Sequence, residues 1–79
     1  MEQKDIWAVY SHEHKRYFGG TIGQYPAWVT YLSDCYWFRT KEKAENAIKK
    51  HNLPQTEIIE CVATYPKGQE SFLTKKHER

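Results

Sequence analysis

The spacing of apolar and polar positions predicts one short helix in this chain. Small and branched apolar residues recur at helical spacing within residues 41–51. Thr40 precedes them and can cap the first turn, because its hydroxyl can accept from a free backbone N–H. Asn52 can adopt the left-handed conformation that closes a helix, and Pro54 prevents continuation. The predicted inward stripe consists of Ala44, Ala47 and Ile48.

The remaining pattern is typical of strands. Alternating or continuous apolar residues bounded by turn residues predict four strands. Gly19 and Gly20 inside the second of them indicate a β-bulge. Residues 23–27 are interpreted as a loop, and residues 35–38 either extend the third strand or connect it to the helix. The order β-β-β-α-β predicts an α+β fold, an antiparallel sheet of about four strands with one short helix packed on one face. The predicted strands are residues 5–11, 16–22, 28–32 and 56–65.

The chain has 79 residues, which is enough for one core. We predict a single domain over residues 1–68 and a charged tail over residues 69–79 that is frayed or carries a short helix. No signal peptide is evident at the charged start, and the longest uncharged run, residues 17–33, is too rich in Gly, Thr, Tyr and Pro to span a membrane. We therefore expect a cytoplasmic protein, in a host cytosol, with no membrane partner. In that compartment Cys35 and Cys61 are expected to be reduced thiols.

Each predicted strand carries apolar or aromatic residues on both faces. In the first strand, for example, Trp7 and Ile6 point to opposite sides. A half-solvated antiparallel sheet should instead alternate cleanly, and one short helix cannot cover both faces. Three outcomes that do not exclude one another follow: the tail folds over the second face, two copies pack as a homodimer, or the face docks on another macromolecule.

The chain is rich in aromatic residues, with three Trp, six Tyr and three Phe. Such side chains are the preferred anchors of binding surfaces. We expect Trp28 to contribute more to partner binding than to folding. The predicted partner-binding residues are Arg16, Tyr25, Trp28, Tyr31, Tyr36, Trp37 and Arg39.

The net charge of +2 is too small and too evenly distributed for a dedicated DNA-binding protein. Basic residues next to aromatic ones can nevertheless clamp single-stranded nucleic acid, as at Arg16-Tyr17 and Phe38-Arg39. A nucleic-acid-binding module is therefore kept as the alternative to a protein-binding one.

No motif predicts catalysis or a cofactor. His12 and His14 share a face of an extended chain and could bind a metal with His51 or Cys35, but a solvated turn is the simpler interpretation. The glycine-rich residues 19–23 lack the Lys-Ser/Thr ending of a phosphate loop. Neither cysteine has a nucleophile signature. We predict no catalytic residue, no metal and no cofactor.

The segment WFRTKEKAENAIKKHN, followed by EIIECVATY, resembles a strand–helix–strand unit found in small accessory proteins of phages and prophages of Gram-positive bacteria. The resemblance covers about residues 36–65. It implies an accessory or host-directed protein, and proteins of this kind, anti-CRISPR inhibitors included, usually occlude a partner. The resulting hypothesis is a small non-enzymatic binding protein that docks on a host protein and modulates or inhibits it.

Overall fold

The computed structural model describes residues 2–65 and 72–75. Its five-stranded sheet has the order β3-β2-β1-β4-β5, with every neighbouring pair antiparallel. One α-helix packs on one face, so the predicted α+β class is confirmed. The elements are β1 (Glu2–Ser11), β2 (Arg16–Ile22), β3 (Tyr25–Val29), a 3₁₀ turn (Leu32–Asp34), α1 (Lys41–Lys50), β4 (Thr56–Tyr65) and β5 (Phe72–Lys75).

The central strand β1 pairs with β4 along its full length. Apolar residues meet on both faces of this pair: Val9 lies opposite Ile58, and Ala8 opposite Ile59. Cross-strand apolar pairs of this kind stabilise a sheet and fix its register. The β1–β4 pair is therefore the platform on which α1 packs.

Helix α1 begins and ends as its sequence predicts, to within one residue. The Thr40 hydroxyl accepts a hydrogen bond from the backbone N–H of Lys43 at 3.1 Å. The helix ends at Lys50, and Asn52 has a φ of 50°, the left-handed conformation expected there. The predicted stripe faces the sheet, and Ala44 is fully buried.

Replacing Thr40 by alanine is expected to lower the free energy of unfolding by about 1 kcal/mol, because the cap hydrogen bond is lost. Thr40→Ser is the matched control, since serine keeps the hydroxyl and should stay close to wild type. Urea denaturation measures both. Equal stability of the alanine and serine variants would show that the cap contributes nothing.

The third strand was predicted at residues 28–32 and lies at Tyr25–Val29 instead. Gly23, with a φ of 63°, and Gln24 form a two-residue turn, so the hairpin closes immediately after β2. The loop prediction for residues 23–27 is therefore wrong beyond Gln24. Pro26 is tolerated because β3 is an edge strand. At an edge the side of the strand without a partner faces solvent, so the absent backbone N–H of proline costs the sheet no hydrogen bond.

Part of the predicted tail is a strand. Phe72–Lys75 forms β5 and pairs with β4, from Cys61 opposite Lys75 to Thr64 opposite Phe72. The prediction of a frayed or helical tail is therefore wrong for these four residues. Their backbone adds a strand at the edge of the sheet. The last three residues of the predicted domain, 66–68, lie outside the described residues.

The sheet opens between β1 and β2. These strands pair only next to their hairpin, at Tyr10 opposite Tyr17 and Ser11 opposite Arg16. Beyond this point β2 bulges between Phe18 and Thr21, at the two glycines predicted to do so. Gly20 has a φ of 95°, a conformation that glycine adopts readily and most other residues do not. Over the same stretch, from Phe18 onwards, β2 no longer pairs with β1.

The segment before the helix hydrogen-bonds to both of these strands. The backbone of Phe38 exchanges two hydrogen bonds with Trp7 on β1, of 2.8 and 2.9 Å. The backbone N–H of Tyr36 donates to the Phe18 carbonyl on β2 at 2.9 Å. Residues 35–38 are thus a connector, one of the two predicted alternatives, and not an extension of β3.

Apolar cores lie on both faces of the sheet. The helix-face core contains Val9, Phe18, Phe38, Ala44 and Leu53, with Trp7, Trp28, Ala47, Ile48 and Ile58 packed against it. The second-face core contains Ile6, Ala8, Cys35, Cys61 and Ala63, with Tyr17, Val29, Leu32, Trp37 and Ile59 packed against it. The prediction that the strands carry apolar residues on both faces is therefore confirmed. However, Leu32 from the 3₁₀ turn and Cys35 and Trp37 from the connector pack on the second face, a cover that none of the three predicted outcomes included.

Candidate binding groove

A groove of about 320 Å³ lies on the helix face, between α1 and the bulged part of β2. It exists because β2 separates from β1 while the connector keeps its aromatic side chains beside the helix. We call it the helix–sheet groove. Its sheet side is formed by Phe18, Gly20, Thr21, Tyr36 and Phe38, and its helix side by Lys43, Asn46, Ala47, Lys50 and His51.

The floor of the groove is a cluster of aromatic rings centred on Phe18. The Phe18 ring stacks on Phe38 with a centroid distance of 6.0 Å and an interplanar angle of 15°. It also lies 6.2 Å from the Tyr36 ring and 5.9 Å from the His51 ring. Phe18 is only 3% exposed, whereas Tyr36 is 50% exposed. The floor is therefore fixed by packing, and Tyr36 is the ring that it presents to solvent.

The helix wall of the groove is basic. Lys43, Ala47 and Lys50 lie four and three residues apart, which places them on one face of α1. Glu42 and Glu45, the two carboxylates of the helix, do not line the groove. No Asp or Glu is among the described residues that line it. The helix thus presents its positive side chains to the groove.

The groove continues towards Arg39. A second cavity, of about 300 Å³, shares Tyr36, Phe38 and Lys43 with the first and is bounded by Trp37 and Arg39. The combined depression therefore runs from Arg39 at one end of the helix to His51 at the other. Three permanent cations border it, at Arg39, Lys43 and Lys50.

The structure brings together only some of the predicted partner-binding residues. Tyr36 and Arg39 border the groove, and Trp37 bounds its Arg39 end while packing into the second-face core. Trp28 is half-buried beside the floor, with its ring 6.1 Å from Phe18. Its role as a contact residue stays a prediction.

The other predicted residues lie elsewhere. Tyr25 and Tyr31 are 69% and 68% exposed, and neither lines the groove. Arg16 is exposed at the start of β2. The seven residues therefore do not form one patch.

Several groove residues were absent from the predicted site. Phe18, Phe38, Lys43 and Lys50 line the groove but are not among the predicted partner-binding residues. The spacing of Lys43, Ala47 and Lys50 is visible in the sequence and indicates one basic helix face. What the spacing does not show is that this face lies against an open aromatic floor, since that depends on the separation of β1 and β2.

The histidines have packing partners of their own. The His14 ring lies 4.7 Å from the Trp28 ring, and His12 Nε2 is 4.0 Å from a Glu57 carboxylate oxygen. Across residues 2–65 and 72–75, no three His, Cys, Asp or Glu side chains are grouped so that they could hold a metal ion. The structure therefore gives His12 and His14 no third ligand within these ranges.

Both cysteines are buried free thiols on the second face. Burial raises the pKa of Cys35 from its ordinary value of 9.0 to about 12, and the nearby Cys61 adds to this rise. Burial likewise raises the pKa of Cys61 to about 11. Thiols held neutral in this way are poor nucleophiles and poor metal ligands at neutral pH.

Stability should therefore fall as the pH rises above 9.0, because the unfolded thiols ionise there while the folded ones still hold their protons. Below that pH the contribution is fully present, and it is lost as the pH rises through the folded-state pKa values. Urea unfolding of wild type and Cys35→Ala, each measured below and above pH 9.0, tests this. The variant should lose less stability over the same interval, and identical losses would contradict the assignment.

A small α+β domain with an aromatic, basic-walled groove is thus the class that fold and site define. Comparison with models of known protein families, with curated protein sequences and with solved structures finds no match for this chain. The resemblance of residues 36–65 to phage accessory proteins therefore stays a prediction. Within the described ranges, α1 is too short and too polar to be a membrane-spanning helix.

Proposed function

We propose that this protein is a non-enzymatic binding protein that docks on a protein partner through the helix–sheet groove. The observation that carries the proposal is Tyr36, half-exposed above a floor of buried rings. Tyrosine in such a setting offers a large contact area and a hydroxyl while losing little side-chain entropy.

Preorganisation also supports the proposal. The floor rings are packed in the free chain, and hydrogen bonds at both ends of the Tyr36–Phe38 segment hold its backbone to the sheet. A partner that docks here does not have to order these groups, so less of the interaction energy is lost on binding.

Within this proposal, the resemblance of residues 36–65 favours a phage-derived protein in a host cytosol that occludes a host protein, as anti-CRISPR inhibitors do. Sheet-to-sheet homodimerisation has less support than docking, because connector side chains already pack on the second face. The large apolar side chains that stay exposed on β2 and β3 are those of Ile22 and Tyr25, at 76% and 69% exposure.

The test is site-specific photocrosslinking with a benzophenone amino acid in place of Tyr36. The full chain is irradiated in a lysate of a Gram-positive host, and crosslinked products are identified by mass spectrometry. The matched control carries the same group in place of Tyr31, which is more exposed but lies outside the groove. A single protein crosslinked at position 36 and not at position 31 supports the proposal. Equal crosslinking at both positions, or none at position 36, overturns it.

Nucleic-acid binding is the second candidate, favoured by the presence of Tyr36 and three cations in one depression. Bases can stack on a tyrosine while cations contact phosphates. Salt titration separates the two candidates, since several phosphate contacts make affinity fall steeply with rising salt, whereas a mainly apolar protein interface with few ion pairs loses much less.

A further inference from the structure

We infer, on the basis of the proposed docking function, that the groove accepts an acidic protein segment carrying an aromatic or large apolar side chain. The inference rests on charge complementarity between such a segment and the walls of the groove. Its apolar side chain would occupy the space over Phe18 and Phe38, beside Tyr36, and its carboxylates would face Lys43 and Lys50.

The distribution of charge on α1 is the first argument. The helix carries four lysines and two glutamates, so it is not strongly basic overall. The groove nevertheless receives Lys43 and Lys50 and neither glutamate. With Arg39 at one end, the described lining holds three permanent cations and no carboxylate. An anion in the groove therefore lies near positive charge with no carboxylate of the described lining to oppose it.

The dimensions of the groove are the second argument. Its space of about 320 Å³ has buried phenyl rings as its floor and the Ala47 methyl group in its helix wall. An aromatic side chain with its backbone fits this space, and Asn46 and Thr21 can hydrogen-bond to that backbone. A phosphate would find no clustered cations at the floor itself, where the rings lie.

The number of cations is the third argument, and it favours a peptide over nucleic acid. Non-specific nucleic-acid binders rely on many phosphate contacts, and most of their affinity comes from them. Three cations distributed from Arg39 to Lys50 supply few such contacts, and the net charge of the chain is only +2. An acidic peptide needs fewer ion pairs, because its apolar side chain contributes the larger share.

The experiment measures fluorescence anisotropy of the full chain with three probes. The first is a short labelled peptide in which glutamates flank a central Tyr-Phe pair. The second carries lysines in place of the glutamates, and the third is a labelled oligo(dT). We expect saturable binding of the acidic peptide, at least about tenfold weaker binding of the basic peptide, and weaker binding of oligo(dT).

Two variants with the same change in charge locate the site. Lys50→Glu reverses a groove cation, and Lys49→Glu reverses its neighbour, which does not line the groove. Both lie in the last turn of α1, so the change in helix stability is matched. Affinity for the acidic peptide should fall about five- to tenfold in Lys50→Glu and less than about twofold in Lys49→Glu.

Equal losses in the two variants would show that only the overall charge matters and would overturn the inference. Preferential binding of oligo(dT) or of the basic peptide would overturn it as well. If the acidic peptide fails to bind while a benzophenone at position 36 still crosslinks a single host protein, the chemistry of the occupant is wrong and the docking function stands. If crosslinking at position 36 fails but the acidic peptide binds at the groove, the chemistry of the occupant stands and the proposed docking on a host protein is wrong.

Discussion

Replacing Phe18 by alanine is expected to lower the free energy of unfolding by about 3–5 kcal/mol. This is the largest stability effect we predict. A domain of this size has a total stability of the same order, so the variant should be largely unfolded or melt far below wild type. Thermal and urea denaturation followed by circular dichroism measure the loss.

The reason is the position of Phe18 at the centre of the helix-face core. Its ring contacts those of Trp28, Phe38, Tyr36 and His51, which come from β3, the connector and the helix end. Alanine would leave a cavity where these elements meet, and the surrounding structure relaxes only partly into such a cavity.

Phe18→Leu is the control, since leucine keeps most of the apolar volume and should cost about 1–2 kcal/mol. Similar losses in the leucine and alanine variants would indicate that ring geometry matters more than volume. A loss below about 1 kcal/mol in Phe18→Ala would contradict the assignment of this residue to the core.

Replacing Tyr36 by alanine is expected to weaken partner binding by at least about 30-fold while the chain stays folded. The side chain is half-exposed, so its removal costs little core packing, but it is the ring that the groove presents to a partner. Affinity is measured by titration against the crosslinked partner or the acidic peptide. Circular dichroism confirms that the fold is retained.

Tyr31→Ala is the matched control for this second prediction. Both tyrosines lie between β3 and α1, and Tyr31 is the more exposed of the two. Binding should be unchanged in Tyr31→Ala and reduced in Tyr36→Ala. Tyr36→Phe removes the hydroxyl and keeps the ring, so it separates the contributions of the two groups to binding. If Tyr31→Ala causes the larger loss, the docking surface lies outside the groove.

The helix and most strands could be predicted because their signals are local. Thr40, Asn52 and the apolar stripe of α1 act through neighbours along the chain, and the structure shows each in the expected role. The bulge at Gly19 and Gly20 is equally local. The alternation in residues 5–11 and 56–65 was sufficient to predict β1 and β4, although β1 begins three residues earlier.

The errors arose where a tertiary contact decides the local conformation. Pro26 suggested a loop, yet the edge position of β3 makes it acceptable there. Phe72–Lys75 has a weak strand signal of its own and forms β5 because β4 offers it an edge. The sequence of residues 35–38 is compatible with a strand extension or a connector, and hydrogen bonds to β1 and β2 decide between the two.

The site was predictable only in part. Aromatic excess drew attention to Tyr36, which lines the groove, but residue type alone could not separate it from Tyr25 or Tyr31, which lie outside the groove. The sequence also suggested an uncovered second face of the sheet, whereas in the structure side chains of the connector pack on it. The case for docking now rests on the groove itself.

The most direct test of the docking site is an amide chemical-shift titration of the isotope-labelled chain with the acidic peptide. The account predicts that the perturbed signals are those of Gly20, Thr21, Tyr36, Lys43 and Lys50, while those of Ile59, Cys61 and Ala63 on the second face stay unchanged. Perturbations centred on the second face, or on Ile22 and Tyr25 at the β2–β3 turn, would contradict it.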